Sequence, residues 1–168
     1  MSLLAFLESD GYSRIPLTRN AVGHFETDGK LAGRPVRVLI DTGAGSTVVS
    51  LSLARELGLE LTSEGKTGGG AGGTQLEVFK LANATLTLNH AVPKPKGLLA
   101  MDLSHINAAL ALKQSPPVDV ILGVDVFERQ AAVIDYGTSS LFLKDAALGG
   151  AESVEHLEKG HSLADNGA

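Results

Sequence analysis

Apolar and polar residues alternate over short stretches along most of this chain, and helical periodicity is confined to a few brief segments. Arg14 to Arg19 alternates and predicts a short strand. Pro35 to Ile40 predicts a second strand, which becomes wholly apolar as it reaches Asp41. Before it, Asp28-Gly29 signals a turn and Gly33-Arg34 a second tight bend. Gln75–Leu81 and Ala84–His90 alternate as strands do, and Val118–Leu122 reads as a short buried strand. Ala131–Asp135 and Ser140–Lys144 predict a hairpin across Tyr136-Gly137. Helical spacing is limited to three places. Leu53–Leu57 has Ser52 as its N-cap and Gly58 as its stop. Ser104–Lys113 puts Ile106, Ala109 and Leu110 on one face, with Ser104 as cap and Pro116-Pro117 as terminator. Val124–Arg129 has room for one or two turns. The fold class these elements predict is all-β with one to three short helices.

The periodic part spans residues 13–144, one domain's worth of chain. Residues 1–12 read as an irregular N-terminal arm. After Lys144 the apolar periodicity fades into a stretch rich in Gly, Ala, Glu and Asp. Residues 145–168 are therefore expected to form a flexible tail, with room for a short helix near Ser153–Glu158. Hydrophobic residues make up 43% of the 168, enough for a core, but aromatics are 4% and Trp is absent. The core must then be built from Val, Leu, Ile and Ala. Net charge is −5 without a basic stretch, which argues against a nucleic-acid partner. With no cysteine there is neither a disulfide framework nor thiolate chemistry. No apolar run approaches the roughly 18 residues of a membrane span. Met1–Leu7 is too short and too poor in basic residues for a signal peptide. As it stands the chain reads as cytoplasmic; a periplasmic location stays open if a signal segment has been removed.

The chemistry concentrates at Val38-Leu-Ile-Asp41-Thr42-Gly43-Ala44-Gly45-Ser46-Thr47-Val48-Val49. An unpaired carboxylate at the end of an apolar strand is costly to bury, so its presence needs a reason. An isolated Asp-x-Gly is ordinarily a turn, because both residues favour turns. Three features weigh against that here. The apolar run resumes at Thr47-Val48-Val49. A Gly-rich stretch, Ser63–Thr74, lies downstream between strand-like runs. Val120-Ile121-Leu122-Gly123 then supplies an apolar–apolar–Gly element. Asp135-Tyr136-Gly137 also follows an apolar run, but it lacks Thr or Ser after the Asp and reads as a hairpin turn.

Taken together, the Asp-Thr-Gly-Ala loop, the Gly-rich stretch and the Ile-Leu-Gly segment resemble the retropepsin-like aspartic proteases, above all their bacterial single-domain members. The likeness runs from about Gly33 to Leu143. It implies a closed, barrel-like sheet and an aspartic endopeptidase acting on extended polypeptides. Asp41 would be the catalytic carboxylate. Thr42 would brace the two active-site loops across a dimer, and Gly43 and Ala44 would keep the backbone close to substrate. Ile121, Leu122 and Gly123 would support the Asp loop from the core side. Gly68, Gly69, Gly70, Ala71, Gly72 and Gly73 would belong to a flap that closes over bound peptide. Catalysis of this kind uses two carboxylates sharing a proton. The chain has one Asp-Thr-Gly, so a homodimer would supply the second Asp41. Viral members carry an acidic residue shortly after the Ala and an Arg after the last Gly, which pair near the interface. Here those stretches read Gly45-Ser46 and Val124-Asp125, so both partners are missing together. Ala44 offers no hydroxyl to the carboxylate, where Ser would. A working pH that is mildly acidic to neutral follows.

No metal or organic cofactor is implied. Gly68–Gly73 fits Gly-x-Gly-x-x-Gly, but the flanking residues are not the strand and helix a dinucleotide loop needs. The five histidines, at 24, 90, 105, 156 and 161, form no metal-binding pattern and are expected at surface or turn positions. The main alternative is a module of the same fold that binds peptides or dimerises without cleaving.

Overall fold

The computed structural model describes residues 1–69 and 75–145. Helix α1 (Leu3–Ser9) leads into β1 (Tyr12–Pro16), β2 (Thr18–Arg19), β3 (Phe25–Leu31) and β4 (Arg34–Ile40). After the Asp41 loop come β5 (Val48–Ser50) and α2 (Leu51–Glu56), then β6 (Glu60–Gly68), β7 (Leu76–Ala82), β8 (Leu86–Thr87) and β9 (Leu99–Met101). The chain continues through α3 (Ser104–Ala111), β10 (Val120–Leu122), α4 (Val124–Arg129), β11 (Val133–Asp135) and β12 (Ser140–Lys144). Strands predominate and the helices are short, as the alternating pattern indicated. No helix among the described residues is long and apolar enough to cross a membrane.

The larger sheet runs β2-β3-β4-β10-β5-β9-β7-β6, with β8 paired to β3. It does not close into a barrel: among the described residues the path ends at β2 and β6. A second sheet, β1-β12-β11, pairs Tyr12 with Lys144 through to Pro16 with Ser140, which draws the two ends of the domain together. The core is aliphatic. Val38, Val49, Val120 and Leu122 are fully buried along the central strands, beside Ile15, Leu31, Leu141 and Leu143. Each such side chain stabilises the fold by about 1.5–3 kcal/mol relative to exposure.

Several local details differ from the sequence reading. Asp28-Gly29 is not a turn but the middle of β3; the reversal falls at Ala32 and Gly33, both at positive φ. Gly29 has another use, since a Cβ there would lie 2.7 Å from the Thr87 carbonyl oxygen, where β8 crosses. The arm before residue 13 contains α1, capped by the Ser2 hydroxyl and anchored by buried Leu7. With α1 the short helices number four among the described residues. Ser52 lies inside α2, whose N-cap is Ser50, and Leu103 rather than Ser104 is the N-cap of α3. Strand β6 had no apolar alternation to reveal it. It is almost wholly exposed and is held by pairing with β7, with a register shift between Ser63 and Thr67.

Candidate active site

Strand β10 lies between β4 and β5. It pairs in parallel with β4 (Ile121 with Leu39, Leu122 with Ile40) and antiparallel with β5 (Val120 with Val49, Ile121 with Val48). The loop from Asp41 to Thr47 therefore spans the end of an intervening strand. Its backbone groups are satisfied partly within the loop and partly by β10 and the start of α4. Asp41 N donates to Leu122 O at 3.1 Å, and Val124 N donates to Ala44 O at 2.8 Å. Within the loop, Ala44 N donates to Asp41 O at 3.2 Å.

The Asp41 side chain is half-buried, and its Oδ1 accepts from Gly43 N at 2.8 Å. No other donor reaches the carboxylate among the described residues. A Cβ on Gly43 would sit 3.1 Å from Oδ1, so any side chain there crowds the acid. Asp135 makes the same turn, with Oδ1 accepting from Gly137 N at 2.9 Å, but its Oδ2 also accepts from the Thr138 hydroxyl at 2.6 Å. Those two hydrogen bonds hold the Asp135 carboxyl below the usual carboxylate range. Its second oxygen is occupied within its own turn, whereas that of Asp41 accepts from no donor among the described residues.

Underneath, Gly123 N donates to Thr47 Oγ1 at 3.1 Å, and Thr47 Oγ1 donates to Asp125 Oδ1 at 2.7 Å. Asp125 Oδ1 also accepts from Val126 N at 3.0 Å, in the first turn of α4. Thr47 is fully buried and Asp125 nearly so. A buried charge of this kind is tolerated only when its donors are in place. Gly123 is equally constrained: a Cβ would lie 2.6 Å from Ser46 O and 2.7 Å from Ala44 O. Loop and strand are thus locked by backbone contact at Gly123 and by one buried hydrogen-bonded chain at Thr47.

A cavity of about 580 Å³ opens beside Asp41 and Thr42. Its buried lining is apolar, with Leu39, Leu110 and Ile121. Its exposed lining includes Arg19, His24 and His105. One wall is α3 and another is the turn between β2 and β3.

Asp41, Thr42, Gly43 and Ala44 form one loop, and Ile121, Leu122 and Gly123 lie directly against it through the pairings above. Thr42 is exposed. Gly68 ends β6 and approaches Val78 and Met101, a residue of β9. Gly69 follows it, while Gly70, Ala71, Gly72 and Gly73 lie outside the described residues. Thr47 and Asp125 carry a structural part that the motif reading did not assign. A hydroxyl inside an apolar run, and an acid just beyond an apolar–Gly segment, were the available signals. His24 and His105 are exposed, as expected of the histidines, but they also share the cavity with Asp41, which no spacing along the chain could show.

A family model described as aspartyl protease matches residues 27–126. Comparison with curated proteins gives no match. Among solved structures, the chain is similar to a retropepsin-like aspartic protease from Rickettsia conorii, with 20% identity, TM-score 0.49, and 79% of this chain and 90% of that one covered. It is similar to the retroviral protease-like domain of Ddi1 from Leishmania major at 15% identity and TM-score 0.48, covering 70% and 86%. EIAV protease in complex with an inhibitor is similar at 24% identity and TM-score 0.45, covering 70% and 98%. The matched span takes in the Asp41 loop, the Gly123 strand that carries it and the buried Thr47–Asp125 contact, and over that span the chain belongs to the aspartyl protease family.

Proposed function

We propose that this chain is an aspartic endopeptidase that cleaves extended polypeptides between two Asp41 carboxylates of a homodimer. The observation that carries this reading is a half-buried carboxylate at the mouth of a cavity, on a loop braced from below and with one oxygen uncommitted among the described residues. Two carboxylates about 3 Å apart share a single proton, because both cannot ionise at that distance. The ionised one takes a proton from water, and the water oxygen attacks the peptide carbonyl carbon. The protonated one passes its proton to the carbonyl oxygen, which gives a neutral diol and leaves that carboxyl ionised. The diol collapses as the first carboxyl gives the proton it took from water to the peptide nitrogen, the second takes a proton from a diol hydroxyl, and the C–N bond breaks to release a carboxylic acid and an amine. The pair titrates as a unit.

The second carboxylate comes from a second copy in this reading, because Asp135, the other Asp-x-Gly acid, has both oxygens committed within its own turn. Thr42 would brace the paired loops across the two-fold axis. The hairpin of β6 and β7, with the glycines from Gly68 to Gly73, would act as the flap. Ala44 provides no side-chain donor to the acid, which supports a working pH from mildly acidic to neutral.

The test is cleavage of a diverse peptide mixture across pH 3–8 by the unaltered chain and by Asp41→Asn, at a concentration that favours dimer. Cleavage that disappears in Asp41→Asn is the expected outcome. A confirmed dimer that cleaves nothing would replace the protease with a peptide-binding module. A pH profile peaking below about pH 3 would overturn the inference drawn from Ala44.

A further inference from the structure

The cavity beside Asp41 has two rims, and each is fixed by its own hydrogen bonds. On one side, the turn between β2 and β3 is built around Asn20. Its Oδ1 accepts from Val22 N at 3.1 Å and His24 N at 2.9 Å, and its Nδ2 donates to Glu26 Oε1 at 2.7 Å. Glu26 is buried and its other oxygen accepts from Arg37 Nη1 at 2.7 Å. Arg19 closes the turn by donating to Gly23 O at 2.8 Å, while its guanidinium lies 4.3 Å above the Phe25 ring. This turn presents His24 to the cavity.

On the other side, α3 is tied to the segment before β10. Asn107 Nδ2 donates to Val118 O at 3.0 Å, and Val118 N donates back to Asn107 Oδ1 at 2.9 Å. Leu110 plugs into the core beneath. This helix presents His105. Between the rims the buried surface is apolar.

A cavity with an apolar floor and nitrogen donors at its mouth fits a side chain with an aliphatic stem and a carboxylate end. Imidazole offers an N–H donor whether neutral or charged, and Arg19 adds a permanent positive charge. The acidic groups nearby are Asp41, which lines the same cavity, and Asp102, whose carboxylate accepts from Ser104 N at 2.8 Å.

We propose that His24 and His105 are specificity-determining residues that select substrates with a glutamate adjoining the cleaved bond. The inference rests on the protease reading for its setting, but the cavity's preference is measurable without cleavage. Matched peptides carrying Glu or Gln at each position around the cleaved bond are compared on the unaltered chain, on His24→Gln, on His105→Gln and on the double variant. At one position kcat/KM should favour Glu. Each replacement should reduce that ratio by about two- to fivefold, the range of exposed ion pairs. The double variant should keep only the smaller preference that Arg19 supports.

A Glu/Gln ratio near one in the unaltered chain overturns the proposal, as does a preference that the double variant keeps undiminished. If nothing is cleaved, the protease reading fails alone, and fluorescence anisotropy of the same labelled peptides decides the cavity's selectivity. Tighter binding of the Glu peptide, weakened in the double variant, supports the proposal. Equal binding, or none, overturns it.

Discussion

Replacing Thr47 by Val tests whether the loop that carries Asp41 is held from below by a single hydroxyl. The two side chains have nearly the same shape, so the change deletes the hydroxyl with little change in volume. Thr47 is fully buried and serves as both acceptor and donor, from Gly123 N at 3.1 Å and to Asp125 Oδ1 at 2.7 Å. Losing the hydrogen bond to a carboxylate costs about 1.5–3 kcal/mol, and stranding a buried N–H costs about 1–3 kcal/mol. Some relaxation offsets the sum, and a net loss of about 3 kcal/mol is expected, a large part of the ~5–15 kcal/mol that stabilises a domain. Urea denaturation of the unaltered chain, Thr47→Val and Thr47→Ser would measure it. Ser keeps the hydroxyl and should recover most of the loss. A double-mutant cycle with Asp125→Ala should give a coupling well above the ~0.5 kcal/mol of independent sites. A loss below about 1 kcal/mol, or additive behaviour with Asp125→Ala, would refute the assignment of Thr47 as the brace.

Gly123→Ala should cost about 3 kcal/mol or more and abolish Asp41-dependent cleavage. Its Cβ would meet backbone atoms of the Asp41 loop at 2.6–2.7 Å, and those cannot swing aside as side-chain ends can. Gly45→Ala, with nothing within 4 Å of its Cβ, should change the denaturation midpoint little and serves as the control. Asp135 predicts a pH effect. Its carboxyl is held below the ordinary value, first by the Thr138 hydroxyl and then by Gly137 N. Its contribution to stability is therefore fully present above the unfolded value of about 3.9 and is lost as pH falls through the lower folded value. Thr138→Val removes the main cause. Unfolding free energies of the two proteins, measured from pH 6 down to pH 2, should differ above about pH 4 and converge at the acid end. A constant difference across that range would count against the assignment.

The site was legible in the sequence wherever one strand or one turn determined it, and illegible wherever two distant segments had to meet. Asp41 stood out because three apolar residues deliver a charge to the end of a strand, and Gly123 because it ends another. Both are local patterns, and the structure lays the two segments side by side as Leu122 and Ile40 in register. The Asp28-Gly29 reading failed for the complementary reason. The pair has a turn's composition, yet Gly29 is there to let Thr87 pass at backbone distance, a demand set by β8 some way along the chain. Polar strand β6 was hidden because its hydrogen bonds to β7, and not buried side chains, define it. The cavity is the extreme case. His24 sits on a turn that Asn20 and buried Glu26 hold, His105 on a helix that Asn107 ties to Val118, and neither histidine has a partner nearby in sequence that would mark it. Local reading therefore finds the candidate acid and misses the walls around it. In this fold the acid's position depends on two strand ends, whereas the walls depend on which surface turns the sheet brings alongside.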